Sequence, residues 1–103
     1  MILALRSASN GFYFSVSEDG SVKCDSPLIN EACLFELFEW GDGAVSLRSC
    51  LNNKFLTDCG VMKCTADQVF GWFVHELFYI EKNDRECRLK NWQKRFLYIT
   101  PEG

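Results

Sequence analysis

The chain has one histidine, two prolines and no long hydrophobic run in its 103 residues. A helix that crosses a bilayer needs about 18 to 20 consecutive apolar residues, and no apolar stretch here approaches that length. The segment after Met1 is too short and too interrupted for a secretory signal peptide. If Met1 is the native start, these absences predict a cytoplasmic protein with no membrane partner.

Motifs that carry catalysis are also missing. The chain contains no Gly-x-Ser-x-Gly, no phosphate-binding glycine-rich loop and no His-Glu-x-x-His. The single histidine, His75, follows Trp72 and Phe73 and has no cysteine close to it in sequence, so a Cys–His nucleophile pair has little support. Glu36 and Glu76 occupy matching places in alternating segments and are explained as outward strand residues. We therefore expect no enzyme activity, no catalytic residue and no cofactor.

What the chain has instead is an internal repeat. Leu5-Arg6-Ser7, Leu47-Arg48-Ser49 and Leu89-Lys90-Asn91 are spaced 42 residues apart. Each is followed by a short polar stretch and then by an aromatic and aliphatic segment; these segments are Gly11 to Ser15, Asn53 to Thr57 and Lys94 to Tyr98. A fixed period of this size indicates that each copy is one supersecondary unit that packs on its neighbours.

Within a unit, apolar residues alternate with polar ones, and turn residues interrupt the pattern at short intervals, as in β-strands. Asp19-Gly20 is the strongest hairpin signal. Ser21 to Cys24 matches Val61 to Cys64 at an offset of 40, which predicts a two-residue shortening near Asp58-Cys59.

The later part of the unit also recurs, because Phe35 to Phe38 matches His75 to Phe78 at the same offset of 40. The segment Glu31 to Trp40, which contains the first copy, has two interpretations. Its large apolar residues could line one face of a helix, but its recurrence inside a strand-rich unit favours a strand. Trp40 to Gly43 is expected to form the corner that closes the first unit.

Four strands in each of three units would give the twelve strands of a β-trefoil. We predict an all-β fold with one domain, residues 1–103, and pseudo-threefold repeats of about 40 residues at 1–43, 44–84 and 85–103. The third repeat is incomplete, because it supplies only Cys87 to Leu89 and Phe96 to Ile99. The unpaired edge beside Phe96 to Ile99 favours a dimer or a partner that completes the sheet.

Six cysteines leave disulfides, a metal site or apolar filling as alternatives; they are Cys24, Cys33, Cys50, Cys59, Cys64 and Cys87. No Cys-x-x-Cys pair is present, so zinc ligation has a weak signal. Nothing in the sequence indicates an oxidising compartment. Cys24 and Cys64 hold equivalent, inward repeat positions, which favours small apolar core residues and no metal.

The net charge of −3 is unevenly distributed. Residues 1–43 carry seven acidic and two basic residues, whereas residues 85–103 carry five basic and two acidic ones. The five basic residues are Arg85, Arg88, Lys90, Lys94 and Arg95. This basic cluster either attracts an anionic partner or is a solvated strand face. Trp92, between Lys90 and Lys94, is either an exposed platform for a ligand or folded over its neighbours.

The repeat pattern resembles the fascin-like β-trefoils, most closely at Ser46 to Ser49 and Asn53 to Thr57. The resemblance covers the chain through its repeats, although most matched positions are core and turn residues. It implies a non-enzymatic, actin-binding module of the cytoskeleton. The candidate contacts to an acidic filament are Lys54, Lys90, Lys94 and Arg95. Some family members have histidine-rich loops, which have no counterpart here.

Two other ligand classes follow from similar trefoils. Fascin-like modules also occur in carbohydrate-active enzymes, which implies glycan binding with Trp92 as the platform. The Gln-x-Trp pattern of ricin-type lectins is absent, since Phe38, Phe70 and Lys90 precede the tryptophans by two residues. Residues 13–20 and 30–35 are similar to fibroblast growth factors, which implies heparin binding, but the acidic net charge disfavours it. No nucleic-acid partner is expected.

Overall fold

The computed structural model describes residues 1–8, 10–58, 61–67, 76–82 and 87–91. Most of these residues lie in nine β-strands, and the all-β prediction is confirmed. The strands are β1 (Ile2–Ala4), β2 (Tyr13–Val16), β3 (Val22–Ser26), β4 (Leu34–Gly41), β5 (Ala44–Ser49), β6 (Phe55–Asp58), β7 (Met62–Ala66), β8 (Phe78–Lys82) and β9 (Cys87–Lys90). Within the described ranges, no helix has the length and hydrophobicity that crossing a membrane requires.

All strand pairs are antiparallel. Strands β1, β4, β5, β6 and β7 follow one another across the larger sheet, and β8 pairs with both β5 and β9. Strands β2 and β3 form a separate hairpin. The larger sheet curls into half a barrel, so one of its faces is concave and the other points outward.

The core consists of residues that alternate along these strands. On β4, Phe35 is buried and Leu37 packs against the buried cluster, whereas Glu36 and Phe38 point to the other face, as the two-residue period of a strand requires. The fully buried members of the cluster are Val16, Phe35, Val45, Leu47, Leu56, Cys64 and Phe78. The prediction that Cys24 and Cys64 point inward is confirmed, since both are buried.

The hairpins β2–β3 and β6–β7 have the same register. Phe14 pairs with Cys24 in the first, and Leu56 pairs with Cys64 in the second. Both hairpins also contain an irregularity one residue before this pair. The two hairpins are therefore related by the offsets of 42 and 40 that the sequence indicates.

Asparagine side chains stabilise the entry to both hairpins in the same way. The amide of Asn10 donates to the carbonyl oxygen of Cys24 (3.3 Å), and that of Asn52 donates to the carbonyl oxygen of Cys64 (3.1 Å). Each asparagine oxygen also accepts the backbone N–H two residues later, at 2.9 Å. One side chain therefore fixes both the turn and the neighbouring strand, which is typical of asparagine in turns.

The turns also agree with the sequence. Residues 17–21 join β2 to β3, and residues 59–61 join β6 to β7, so the two-residue shortening is confirmed. In the first turn, the N–H of Gly20 donates to the carbonyl of Ser17, and the N–H of Ser21 donates to the Asp19 carboxylate, both at 2.9 Å. This arrangement confirms the Asp19-Gly20 hairpin turn.

The strand interpretation of residues 31–40 is confirmed as well. A short 3-10 turn, Glu31–Cys33, leads directly into β4, and the side chain of Asn30 caps it. The Trp40 to Gly43 corner is the tight connection between β4 and β5, where Gly41, Asp42 and Gly43 all have positive φ angles. The predicted strand Phe96 to Ile99 lies outside the described residues, so its unpaired edge stays a prediction.

The predicted match of His75 to Phe78 with Phe35 to Phe38 at an offset of 40 is wrong for Phe78, while His75 lies outside the described residues. Phe35 pairs with Leu3, and Phe78 pairs with Val45, which lies 42 residues after Leu3. Phe78 therefore corresponds to Phe35, at an offset of 43, and Glu36 corresponds to Tyr79 rather than to Glu76. The physical reason is that a three-residue slip turns a strand over, which would move Phe78 from the core to the outer face.

Candidate interaction surface

The outward face of the larger sheet carries a row of directly paired side chains. Ile2 lies opposite Glu36, Glu36 lies opposite Arg48, and Arg48 lies opposite Phe55. Opposite residues in antiparallel strands point to the same side, and the alternate residues of β4 join them there. We call this set the outer aromatic face: Ile2, Glu36, Phe38, Trp40, Arg48 and Phe55.

Arg48 lies at the centre of this face. Its guanidinium carbon is 5.2 Å from the centre of the Phe38 ring and 5.9 Å from that of Phe55, within the range of cation–π attraction. The two rings are 5.7 Å apart and tilted by 52°. Arg48 also forms an ion pair with Glu36. Three neighbours thus hold the half-exposed arginine, so little side-chain entropy would be lost when it binds a partner.

Trp40 extends the face toward the β4–β5 turn. Its indole N–H donates to the hydroxyl of Ser46 at 3.0 Å, and Ser46 is fully buried beneath it. Even so, 51% of Trp40 is exposed to solvent. A large, oriented and half-exposed aromatic ring is suited to contact another molecule at low entropic cost.

The structure places two of the five predicted ligand-binding residues. Lys54 directly precedes Phe55 and forms an ion pair with Asp67. Lys90 is half-buried at the end of β9, and the adjacent Asn91 donates from its amide to Asp58 at 3.1 Å. Asp58 ends β6, roughly 13 Å along the strand from Lys54. Lys54 therefore lies next to the first residue of β6, whereas Lys90 lies near the last residue of that strand. Trp92, Lys94 and Arg95 lie outside the described residues.

Sequence reasoning missed the outer aromatic face as a unit. The spacing of Glu36, Phe38 and Trp40 at every second residue was a visible signal, because alternate strand residues share a face. The contribution of Arg48 and Phe55 was not visible, since it depends on the register of β4, β5 and β6. Cross-strand pairing thus assembles the face.

Two of the described cysteines, Cys24 and Cys64, are unsuited to nucleophilic chemistry. Cys24, Cys33, Cys50 and Cys64 are free thiols. Burial raises the pKa of Cys64 to about 12, and burial also raises the pKa of Cys24. A thiol reacts as the thiolate, so these two are inert near neutral pH. The described ranges also contain no group of three residues able to ligate a metal ion.

The buried thiol of Cys64 predicts a loss of stability in alkali. In the unfolded chain the thiol ionises near pH 9, whereas the folded protein keeps it protonated up to about pH 12. The unfolded state then holds fewer protons, so the free energy of unfolding falls as pH rises through this window, by up to about 1.4 kcal/mol per pH unit. Urea unfolding between pH 8 and about 11 measures this slope.

Cys64→Ser is the control, because serine does not ionise in this range. The variant will be less stable near neutral pH, but its stability should fall less steeply with pH than that of the parent chain. Parallel pH profiles for the two proteins would contradict the assignment to Cys64.

Neither a protein-family model nor a curated protein matches this chain.

Proposed function

We propose that this chain is a fascin-like β-trefoil domain that acts as a cytoplasmic, non-enzymatic binding module with F-actin as its partner. The fold assignment is supported by the two hairpins of identical register, 42 and 40 residues apart. The function is supported by the outer aromatic face, which presents a tryptophan and an arginine in fixed orientations. These two residue types are enriched among the residues that dominate protein–protein binding energy.

The composition of the face suits a protein partner. Its two charged residues, Glu36 and Arg48, neutralise each other, and the other members are apolar or aromatic. Most of its binding energy would come from burial of the exposed parts of Trp40 and Ile2. Such a face binds through shape and burial and needs no reacting group.

The predicted basic residues would supply long-range attraction to the acidic filament. Lys54, Lys90, Lys94 and Arg95 would raise the association rate in a salt-dependent manner. The ion pair with Asp67 already offsets part of the charge of Lys54, which reduces its contribution to this attraction.

Cosedimentation with actin filaments tests this proposal. We expect the chain to pellet with filaments, and more strongly at low than at moderate salt. Arg48→Gln should weaken binding by about tenfold, which corresponds to the loss of one central contact. Trp40→Ala should weaken it by a similar factor.

Lys23→Gln is the matched control, because it also removes one positive charge but lies on β3, away from the outer aromatic face. Its binding should equal that of the parent chain. Absence of pelleting at both salt concentrations would refute the actin partner. Equal losses for Arg48→Gln and Lys23→Gln would instead assign binding to net charge and refute the role of the face.

Trp40 also favours the alternative of a carbohydrate-binding module, since an oriented, exposed indole can stack on a sugar ring. A glycan array with the parent chain, Trp40→Ala and Trp92→Ala distinguishes the two functions. Selective glycan binding that Trp40→Ala abolishes, together with no pelleting with filaments, would replace actin by a glycan.

A further inference from the structure

The two related hairpins carry different kinds of side chain at two equivalent positions that lie close to the end of each hairpin. Phe12 and Lys54 correspond, because their backbones make the same two hydrogen bonds. The carbonyl oxygen of each accepts the N–H of a serine five residues earlier, at 2.9 Å. The N–H of each donates to an asparagine side chain. Pro27 and Asp67 correspond, because each directly follows the last residue of the paired strand. The ion pair between Lys54 and Asp67 is thus replaced by two apolar residues in the first hairpin.

The apolar side chains at the first hairpin are exposed. Solvent reaches 40% of Phe12, 75% of Leu28 and 54% of Ile29. The Ser26 hydroxyl donates to the carbonyl oxygen of Leu28 at 2.6 Å, which fixes the chain direction just after Pro27. Because the equivalent positions carry a solvent-exposed ion pair in the second hairpin, the fold itself does not require apolar residues at Phe12 and Pro27. Tyr13 pairs with Ser26, so Phe12 and the segment from Pro27 to Ile29 lie at the same end of the hairpin. Exposed apolar residues grouped in this way are typical of an interaction site.

The surrounding charge indicates what kind of partner fits. Six of the seven acidic residues in the range 1–43 are exposed, and the seventh, Glu36, pairs with Arg48. Only two basic residues, Arg6 and Lys23, lie in this range. Asp25 and Glu31 are exposed on either side of the Pro27 to Ile29 segment. A partner that approaches Leu28 and Ile29 therefore meets an apolar surface with acidic surroundings.

We propose that Phe12, Leu28 and Ile29 form a second binding surface, which binds a protein segment that combines basic and apolar residues. Burial of the three side chains supplies affinity, and the acidic surroundings select for lysine or arginine. A second copy of this chain fits poorly, because a two-fold dimer would bring two acidic regions together. This inference is independent of the outer aromatic face, since Phe12, Leu28 and Ile29 lie at the β2–β3 hairpin and not on the larger sheet.

Fluorescence anisotropy with a labelled peptide of alternating lysine and leucine tests the proposal. A labelled peptide of alternating glutamate and leucine is the control of opposite charge. The parent chain should bind the lysine peptide at least about tenfold more tightly than the glutamate peptide, and less tightly as salt increases. Leu28→Ser with Ile29→Ser should weaken binding by about tenfold at unchanged net charge. Val61→Ser is the control, because Val61 is 66% exposed but belongs to the second hairpin.

A second variant keeps the test valid if the serine changes disturb the turn. Phe12→Lys with Pro27→Asp copies the ion pair of the second hairpin, so it should fold, as judged by circular dichroism, and still lose peptide binding. Equal binding of both peptides, or unchanged binding in both variants, would overturn the proposal. A dimer in sedimentation equilibrium that Leu28→Ser with Ile29→Ser dissociates would also overturn it, because the surface would then bind a second copy.

Discussion

Gly20→Ala should destabilise the protein by about 3 kcal/mol, with contributions from backbone strain and from a steric clash. Gly20 has a φ angle of +91°, which alanine rarely adopts. A Cβ atom at this position would lie 2.6 Å from the carbonyl oxygen of Cys64 and 2.8 Å from the methyl group of Thr65. The carbonyl oxygen cannot move freely, because it accepts the hydrogen bond from Asn52.

Gly11→Ala separates the two contributions. Gly11 also has a positive φ angle, +75°, but no atom lies within 4 Å of the position of its Cβ. We expect a loss of about 1 kcal/mol from backbone strain alone. Urea unfolding of both variants measures the difference. Similar losses would contradict the steric contribution and would show that the close approach to Cys64 relaxes without cost.

The position of Gly20 explains why its replacement should affect the whole domain. Its carbonyl accepts the N–H of Cys64 at 2.7 Å, and Ser21 forms an isolated bridge with Lys63. These contacts join the turn of the first hairpin to a strand of the second. A shift at Gly20 would therefore separate two units that otherwise belong to different sheets.

The sequence predicted features that depend on local chemistry. The Asp19-Gly20 turn was predictable because an Asp-Gly pair favours a tight turn, in which glycine readily adopts a positive φ angle. Gly20 has such an angle in the structure. The inward positions of Cys24 and Cys64 were predictable because both follow the alternation of a strand next to a turn. Strand β4 was also predicted, although the recurrence that favoured it was misaligned by three residues. The first residues of the predicted segment, Glu31–Cys33, form a 3-10 turn that precedes the strand.

Features that depend on pairing between distant strands were not predictable in the same way. The Glu-Leu-Phe identity suggested an offset of 40 for β8, but a three-residue motif carries no information about which face each residue occupies. The outer aromatic face has the same origin, because Arg48 meets Phe38 and Phe55 only through the registers of three strands. Long-range register is decided by burial of the whole strand, which a local match does not measure.

Phe78→Ala should destabilise the protein by about 4 kcal/mol, a large share of the roughly 5 to 15 kcal/mol that stabilises a typical domain. Phe78 is fully buried, and it packs in the cluster that joins β4, β5, β6 and β8. Removing its ring leaves a cavity in addition to the lost burial. Phe35→Ala should have a similar effect, because Phe35 occupies the corresponding place opposite β1.

Phe38→Ala is the control that tests the offset of 43. Phe38 is half-buried on the outer face, where its ring contacts Arg48 and Phe55 rather than the core. Its removal should cost about 1 kcal/mol, since the ring is only partly buried at the surface and little cavity forms. If Phe78 corresponded to Phe38, as the offset of 40 requires, both would lie on the outer face and both losses would be small. Denaturant unfolding of the three variants therefore tests the register. Large losses of stability for Phe35→Ala and Phe78→Ala, with a small loss for Phe38→Ala, would support the offset of 43. Equal losses of stability for Phe38→Ala and Phe78→Ala would refute it.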